Sequence, residues 1–156
     1  MKNKVKLLAI ILLTTVSTYA QNKKKEQMEK RIINPWKWQN ERSYVQAIEV
    51  TKPEGTLYIS GQTATNADGK SSTEDMKTQL IESLTNLEKV IKEAGYKCEN
   101  IVRLNVYTTS TDELFSCFDI FQNWITKHNI KQTSTLLEVK SLFETLKVEL
   151  EVTVVK

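Results

Sequence analysis

The chain has 156 residues, of which 22 are basic and 19 are acidic, and its formal net charge is +3. Three of the basic residues lie within the first 20 positions, so residues 21–156 carry 19 charges of each sign. This balance does not support a nucleic-acid partner, which requires a basic patch on the folded domain, and a single histidine, His128, excludes a His-rich metal site.

The first 20 residues have the pattern of a secretory signal peptide. Lysines precede an apolar run over residues 7–16, and Thr18 and Ala20 are small residues in the positions that a signal peptidase reads. The run is too short to span a bilayer, which disfavours the alternative of an uncleaved anchor. We therefore expect cleavage after Ala20, export to the periplasm or the medium, and no membrane contact afterwards.

Residues 21–33 are polar and predict a flexible tail, and residues 34–156 have the length of one domain with its own core. Export implies an oxidising compartment. Cys98 and Cys117 are the two cysteines of the chain. They could form a disulfide or remain as two buried thiols, and the sequence leaves both readings open.

The ordered part begins near residues 34–38 with two tryptophans. Residues 44–51 and 56–62 read as strands, and the Pro and Gly between them predict a turn, so the pair is expected to form a hairpin. The second strand ends in Ser60, Gly61 and Gln62. The glycine in this corner would allow a ligand to approach the main chain.

Two amphipathic helices follow. The first is predicted to start at one of the caps Ser71, Ser72 or Thr73 and to run to about Ala94, where Gly95 stops it. Apolar residues recur along it every three or four positions. The second is predicted from Thr111 or Asp112 to about His128. Its expected buried face consists of Leu114, Cys117, Phe118, Phe121 and Ile125.

Three further strands complete the predicted order β-β-α-β-α-β-β. They cover residues 101–108, 133–140 and 146–155, and the last alternates strictly between apolar and polar side chains. This order predicts an α+β fold, a two-layer sandwich in which two helices cover one face of a mixed sheet. The other face, with Glu149 and Glu151 and with Tyr58 and Arg103 as further candidates, is too polar for a core and is typical of a subunit contact or a ligand surface.

In order and spacing, these elements resemble the RidA (YjgF) family over residues 34–156. The motifs that carry the resemblance are Tyr44-Val45-Gln46, Ile59-Ser60-Gly61-Gln62, Asn86-Leu87 with Ala94-Gly95, Ile101-Val102-Arg103, Val106-Tyr107, Leu137-Glu138-Val139 and Val148-Glu149-Leu150-Glu151.

The resemblance implies a homotrimer with a chorismate-mutase-like fold and a pocket between subunits. Members with the best-known activity hydrolyse enamines and imines to a keto acid and ammonia, without a metal or an organic cofactor. By position, Glu149 matches the acidic residue that positions or activates water. Tyr44 matches the tyrosine that lines the pocket, and Gly61, between Ser60 and Gln62, matches the backbone amide region near the substrate.

One position departs from the active members of the family. They carry an arginine that holds the substrate carboxylate, and Ser134, next to Thr135, stands at that position here. A cysteine near the family's pocket is replaced by Leu136. Because a hydroxyl cannot neutralise a carboxylate, an anionic imine would need a cation from elsewhere, for which the candidates are Arg42, Arg103 and Lys147.

Two functions from different classes follow. The chain is either a hydrolase of the imine-deaminase type, or a non-catalytic trimeric protein that binds a small molecule through Tyr44, Ser134 and Thr135. A secreted chorismate mutase rests on fold analogy alone, and the shortage of arginine at the cleft disfavours it.

Overall fold

The structure, a computed structural model, describes residues 27–156. The predicted signal peptide and residues 21–26 of the predicted tail lie outside the described residues. Within them, six strands and three helices follow the chain. They are β1 (Glu29–Ile33), β2 (Ala47–Thr51), β3 (Thr56–Thr63), α1 (Met76–Glu93), β4 (Ile101–Thr108), α2 (Thr111–Ser116), α3 (Phe118–Lys127), β5 (Thr133–Glu138) and β6 (Val148–Val155).

A mixed four-stranded sheet with the order β3-β6-β4-β5 forms one layer. β6 is antiparallel to both β3 and β4, and β4 is parallel to β5. The three helices form the second layer, and α1 packs on β3 and β6. The predicted two-layer α+β fold is therefore confirmed.

Strand alternation divides the sheet into two faces. The inward side chains of β6 (Val148, Leu150, Val152 and Val154) are buried with those of α1 in one apolar core. The opposite surface, which we call the open face, carries Tyr58, Arg103, Asn105, Tyr107, Glu149 and Glu151, and the Tyr58 side chain is 80% exposed. The polar face expected from the alternation thus lies away from the helices.

The predicted hairpin is wrong. β2 pairs with β1 in a separate two-stranded sheet, in the register Glu29↔Thr51 to Ile33↔Ala47, and β3 pairs with β6 instead. Residues 29–33, predicted as part of a tail, are therefore the partner strand of β2. The polarity of residues 29–31 explains the error, because this strand is exposed and carries no apolar alternation.

The helix boundaries differ from the predicted ones for local reasons. The N-cap of α1 is Asp75, whose carboxylate accepts a hydrogen bond from the Thr78 amide at 2.8 Å. At the other end, Gly95 has φ of +73° and begins the turn that stops the helix, as expected. The second predicted helix is divided at Cys117, where the amide donates to Leu114 in a tighter turn, so α2 and α3 are separate helices.

Both cysteines are buried free thiols in this structure. Burial raises the pKa of Cys98 to about 11 and also raises the pKa of Cys117, so neither is a nucleophile near neutral pH. None of the helices within residues 27–156 combines the length and apolar character needed to cross a membrane.

Candidate active site

The first part of the candidate site lies where β3 bulges against β6. The register shifts between Ile59 and Gln62, so Ser60 and Gly61 together face Glu151. A side-chain carbon added to Gly61 would overlap the carboxylate of Glu149. The absence of a side chain at position 61 is therefore what allows the Glu149 carboxylate to lie over the backbone of β3.

The two glutamates of β6 have different environments. The Glu151 carboxylate accepts hydrogen bonds from Asn105 Nδ2 at 3.1 Å and from the Tyr107 hydroxyl at 3.0 Å, and these bonds lower its pKa. No side chain among residues 27–156 donates to the Glu149 carboxylate or pairs with it. Glu149 therefore keeps its acceptor capacity for a water or a ligand.

The second part lies at the edge strand β5, on the side of the helices. The Val45 amide donates to the Gln132 carbonyl at 2.8 Å, and Gln132 Nε2 donates to the Ser43 carbonyl at 2.7 Å. Because Gln132 is completely buried, these bonds fix the segment that carries Tyr44 beside the start of β5. Ser134 lies two residues further on, and its hydroxyl donates to the Leu104 carbonyl at 2.9 Å.

A cavity of about 380 Å³ opens at this edge, and we call it the β5 cavity. Tyr44 and Ser134 both line it, so the structure brings these two predicted residues together. Most of the remaining wall is apolar and comes from the sheet and from α2 and α3. The full lining consists of Arg42, Ser43, Tyr44, Val106, Phe115, Phe118, Phe121, Gln122, Ser134 and Leu136.

Other predicted residues lie elsewhere. Thr135 is on the open face, where its hydroxyl accepts a hydrogen bond from Arg103 Nη2 at 2.8 Å. The structure therefore does not bring Thr135 into the β5 cavity, because neighbouring residues of a strand point to opposite faces. Ser60 is exposed, and the Gln62 amide folds back to donate to the Ser60 carbonyl at 3.0 Å.

The two parts cannot meet on one small ligand within a single protomer. Glu149 and Gly61 lie on the open face, whereas Tyr44 and Ser134 lie on the helix side. β3 and β5 are also opposite edges of the sheet, separated by three strand spacings or about 14 Å. Each protomer therefore carries two halves of a candidate site, turned away from each other.

A separate polar cluster joins α1 to the end of α3. Glu88 Oε1 accepts hydrogen bonds from Trp124 Nε1 at 2.5 Å and from His128 Nε2 at 3.0 Å. Burial acts to raise the pKa of Glu88, but these bonds outweigh it and lower the pKa. His128 follows the last residue of α3. Its ring contacts Glu88 of α1 and so links α1 to the end of α3, which is a structural role.

The described residues 27–156 contain no group of three or more His, Cys, Asp and Glu side chains placed to hold a metal ion. One half presents the Glu149 carboxylate beside Gly61, and the other presents the hydroxyls of Tyr44 and Ser134, with Arg42 also lining the cavity. Sequence reasoning named Arg42 only as one of three candidate cations. Its position two residues before Tyr44 was the signal that could have singled it out.

Known proteins are similar to this chain over most of its length. A family model described as Endoribonuclease L-PSP matches residues 37–156. A RutC family protein from Aquifex aeolicus is 33% identical over 113 residues, which cover 72% of this chain and 88% of that protein. A 2-iminobutanoate/2-iminopropanoate deaminase from Salmonella typhimurium is 26% identical over 115 residues, covering 72% of this chain and 87% of that protein.

Solved structures give the same result. The crystal structure of a Rid-family protein of unknown function from Yersinia pestis superimposes with a TM-score of 0.71 at 26% identity, and the match covers 81% of this chain and 98% of that one. The family model begins at residue 37, so its match includes Tyr44, Gly61, Ser134 and Glu149.

Proposed function

The chain belongs to the RidA (YjgF) family, and from this premise we propose that it is a hydrolytic deaminase of reactive enamine and imine intermediates. The observation that carries the proposal is the Glu149 carboxylate, which lies over Gly61 and has no partner among residues 27–156. A relative at 26% identity is named as a deaminase of 2-iminobutanoate and 2-iminopropanoate, which supports the reaction type.

Hydrolysis of an imine requires few catalytic groups, because the imine carbon is already electrophilic. An oxygen of water forms a bond to the electrophilic imine carbon while the π pair of the C=N bond moves to nitrogen. The nitrogen takes up the first proton that the water loses, which gives a carbinolamine. The carbinolamine then loses its O–H proton as the C=O bond forms, and ammonia leaves with both protons of the water. An enamine is first converted to the imine, when its β carbon takes up a proton and its nitrogen releases one, and is then hydrolysed in the same way. One carboxylate that orients the water and accepts its proton is sufficient.

We propose that the site is completed between copies of the chain. Glu149 and Gly61 of one copy would approach the β5 cavity of the next, because each protomer presents the two halves on opposite sides. The open face favours such a contact, since Tyr58 is 80% exposed and Leu137 is 50% exposed there. The family description names an endoribonuclease, but 19 charges of each sign over residues 21–156 do not favour RNA.

Sedimentation of the purified protein tests this assembly. We expect trimers at micromolar concentrations, with no free protomer resolved at the lowest concentration at which activity is measured. A single species with the mass of one chain under these conditions would remove the shared site, because neither half alone brings a carboxylate to the cavity.

The activity itself is tested with imines generated in solution. An amino-acid oxidase with catalase supplies anionic 2-imino acids, and an amine oxidase supplies neutral imines. Semicarbazide then traps what has not been hydrolysed. We expect the trapped fraction to fall in proportion to the concentration of the protein for at least one of the two classes. A trapped fraction that does not depend on the protein in either class would contradict the proposal.

The second candidate is a non-catalytic small-molecule-binding protein with the same shared cleft. Ser134 favours it, because a hydroxyl already donating to the Leu104 carbonyl at 2.9 Å does not replace a guanidinium that holds a reacting carboxylate. A ligand that raises the melting temperature without being consumed in the trapping assay would support this function. Turnover of that ligand would reject it.

A further inference from the structure

The β5 cavity has the shape of a site for a larger and less polar molecule than a three-carbon imine. Its volume of about 380 Å³ lies within the range of about 300–1,000 Å³ that is usual for small-molecule sites. Val106 and Leu136 form its floor on the sheet, and Phe115, Phe118 and Phe121 form its wall on the helices.

The three phenylalanines form a continuous aromatic row. The rings of Phe118 and Phe121 stack with centroids 5.2 Å apart, and the Phe115 ring meets Phe118 edge-on at 5.5 Å. Phe121 is buried, Phe118 is half-buried, and Phe115 is 57% exposed at the outer end. A ligand with an apolar group would cover Phe115 and continue the row, and both effects favour binding.

The charge of the cavity comes from Arg42. Its guanidinium lies over the Trp38 ring, with Cζ 5.4 Å from the ring centroid. Arg42 also lines the cavity, together with Tyr44. The two other candidate cations are engaged elsewhere. Arg103 donates to Thr135 on the open face, and Lys147 Nζ pairs with Glu113 at 2.7 Å. Arg42 is thus the one of the three that lines the cavity beside Ser134.

We propose that the β5 cavity selects 2-imino acids with an aromatic or branched aliphatic side chain, held by Arg42 at the carboxylate and by Phe115, Phe118 and Leu136 at the side chain. This inference rests on the proposed function and names its substrate class. It accounts for Ser134 as well, because an arginine at that position would occupy the space that the side chain of the substrate takes and would repel Arg42.

Binding of the 2-keto acid products to the full chain tests the proposal separately from turnover. Phenylpyruvate, pyruvate and the uncharged phenylacetamide are titrated by calorimetry. We expect phenylpyruvate to bind at least about tenfold more tightly than pyruvate, because burial of a ring adds more than about 1.4 kcal/mol. Equal affinity of the two keto acids would overturn the proposal.

Two variants assign the contacts. Arg42→Gln should weaken phenylpyruvate about tenfold or more and leave phenylacetamide unchanged, since only the former carries a charge. Phe115→Ser should reduce the preference for phenylpyruvate over pyruvate. Arg31→Gln is the matched control, because Arg31 pairs with Glu49 on the exposed β1–β2 sheet and not with the cavity. Wild-type affinity in Arg42→Gln, or the same loss in Arg31→Gln, would overturn the role of Arg42.

Because Arg42 also contacts Trp38, the melting temperature of Arg42→Gln is measured, and Arg42→Lys, which keeps the charge, is expected to regain part of the affinity. Failure of this inference and of the proposed function are distinguishable. If phenylpyruvate binds, and binds more weakly to Arg42→Gln than to Arg42→Lys, but no imine is hydrolysed, the deaminase function is rejected and the ligand class is kept. Faster hydrolysis of the imine from alanine than of that from phenylalanine would keep the deaminase and reject the inference.

Discussion

Glu149→Gln is expected to slow enzymatic ammonia release about 10²–10⁴-fold, the usual contribution of a positioned general base. The amide keeps the size of the carboxylate and one acceptor oxygen, so the variant should fold and assemble as the wild type does. What it loses is the ability to take the proton of the attacking water. The measurement is the initial rate of ammonia release from the best imine substrate, with spontaneous hydrolysis subtracted.

Glu151→Gln is the matched control for this variant. Glu151 lies two residues further along β6 on the same open face, but its carboxylate is engaged by Asn105 and Tyr107. Its replacement should leave the rate close to that of the wild type, because Gln still provides an acceptor for one of the two donors. Equal rates for Glu149→Gln and the wild type would remove Glu149 from the mechanism. A loss in Glu151→Gln alone would transfer the role to its neighbour.

The interior of the fold could be predicted because its signals are local and periodic. The inward residues of β6 alternate strictly, and the apolar stripe of α1, from Met76 to Ile91, repeats every three or four residues. Burial of one face leaves only one register and one helix rotation for such patterns. The polarity of Glu149 and Glu151 likewise identified the open face before any contact was known.

The edge of the fold could not be predicted in the same way. A turn with Pro53 and Gly55 is compatible with a hairpin, but it does not determine that β3 pairs with β6 while β2 pairs with β1. Strand pairing depends on contacts distant in sequence, and exposed β1 has no periodic signal of its own. The same limit applies to the N-cap of α1. The observed N-cap is Asp75 and not Ser71, Ser72 or Thr73, because all four side chains can accept the capping hydrogen bond and the sequence does not distinguish them.

The candidate site was predictable residue by residue but not in its geometry. The resemblance identified Tyr44, Gly61, Ser134 and Glu149, yet their division between two faces follows only from the strand order. Thr135 was grouped with Ser134 by adjacency, and alternation along β5 separates them. The phenylalanines of the second predicted helix gave a misleading signal. Their helical spacing predicted a buried face that includes Phe118, but Phe118 also lines the β5 cavity.

Gly61→Ala is expected to lower kcat/KM about 10²-fold while leaving the melting temperature nearly unchanged. The new methyl group would occupy the place of the Glu149 carboxylate. The overlap extends to Cγ at 2.6 Å, so the whole flexible side chain of Glu149 must turn about its Cα–Cβ bond, which it can do without disturbing the sheet. A displacement of about 1 Å is enough to cost two orders of magnitude in rate when a group must orient water. Paired thermal melts and kinetics measure the two effects, and Ser60→Ala, in the same bulge with an exposed side chain, serves as the control.

The combination of Gly61→Ala with Glu149→Gln separates this explanation from a general disturbance of the bulge. If the methyl group acts only by displacing the Glu149 carboxylate, it cannot lower the rate further in a variant that already lacks that carboxylate. The double variant should then be no slower than Glu149→Gln alone. Losses that multiply would mean that Gly61 contributes independently, for instance through its backbone amide. A large fall in melting temperature for Gly61→Ala would instead show that the strand, and not the carboxylate, had moved.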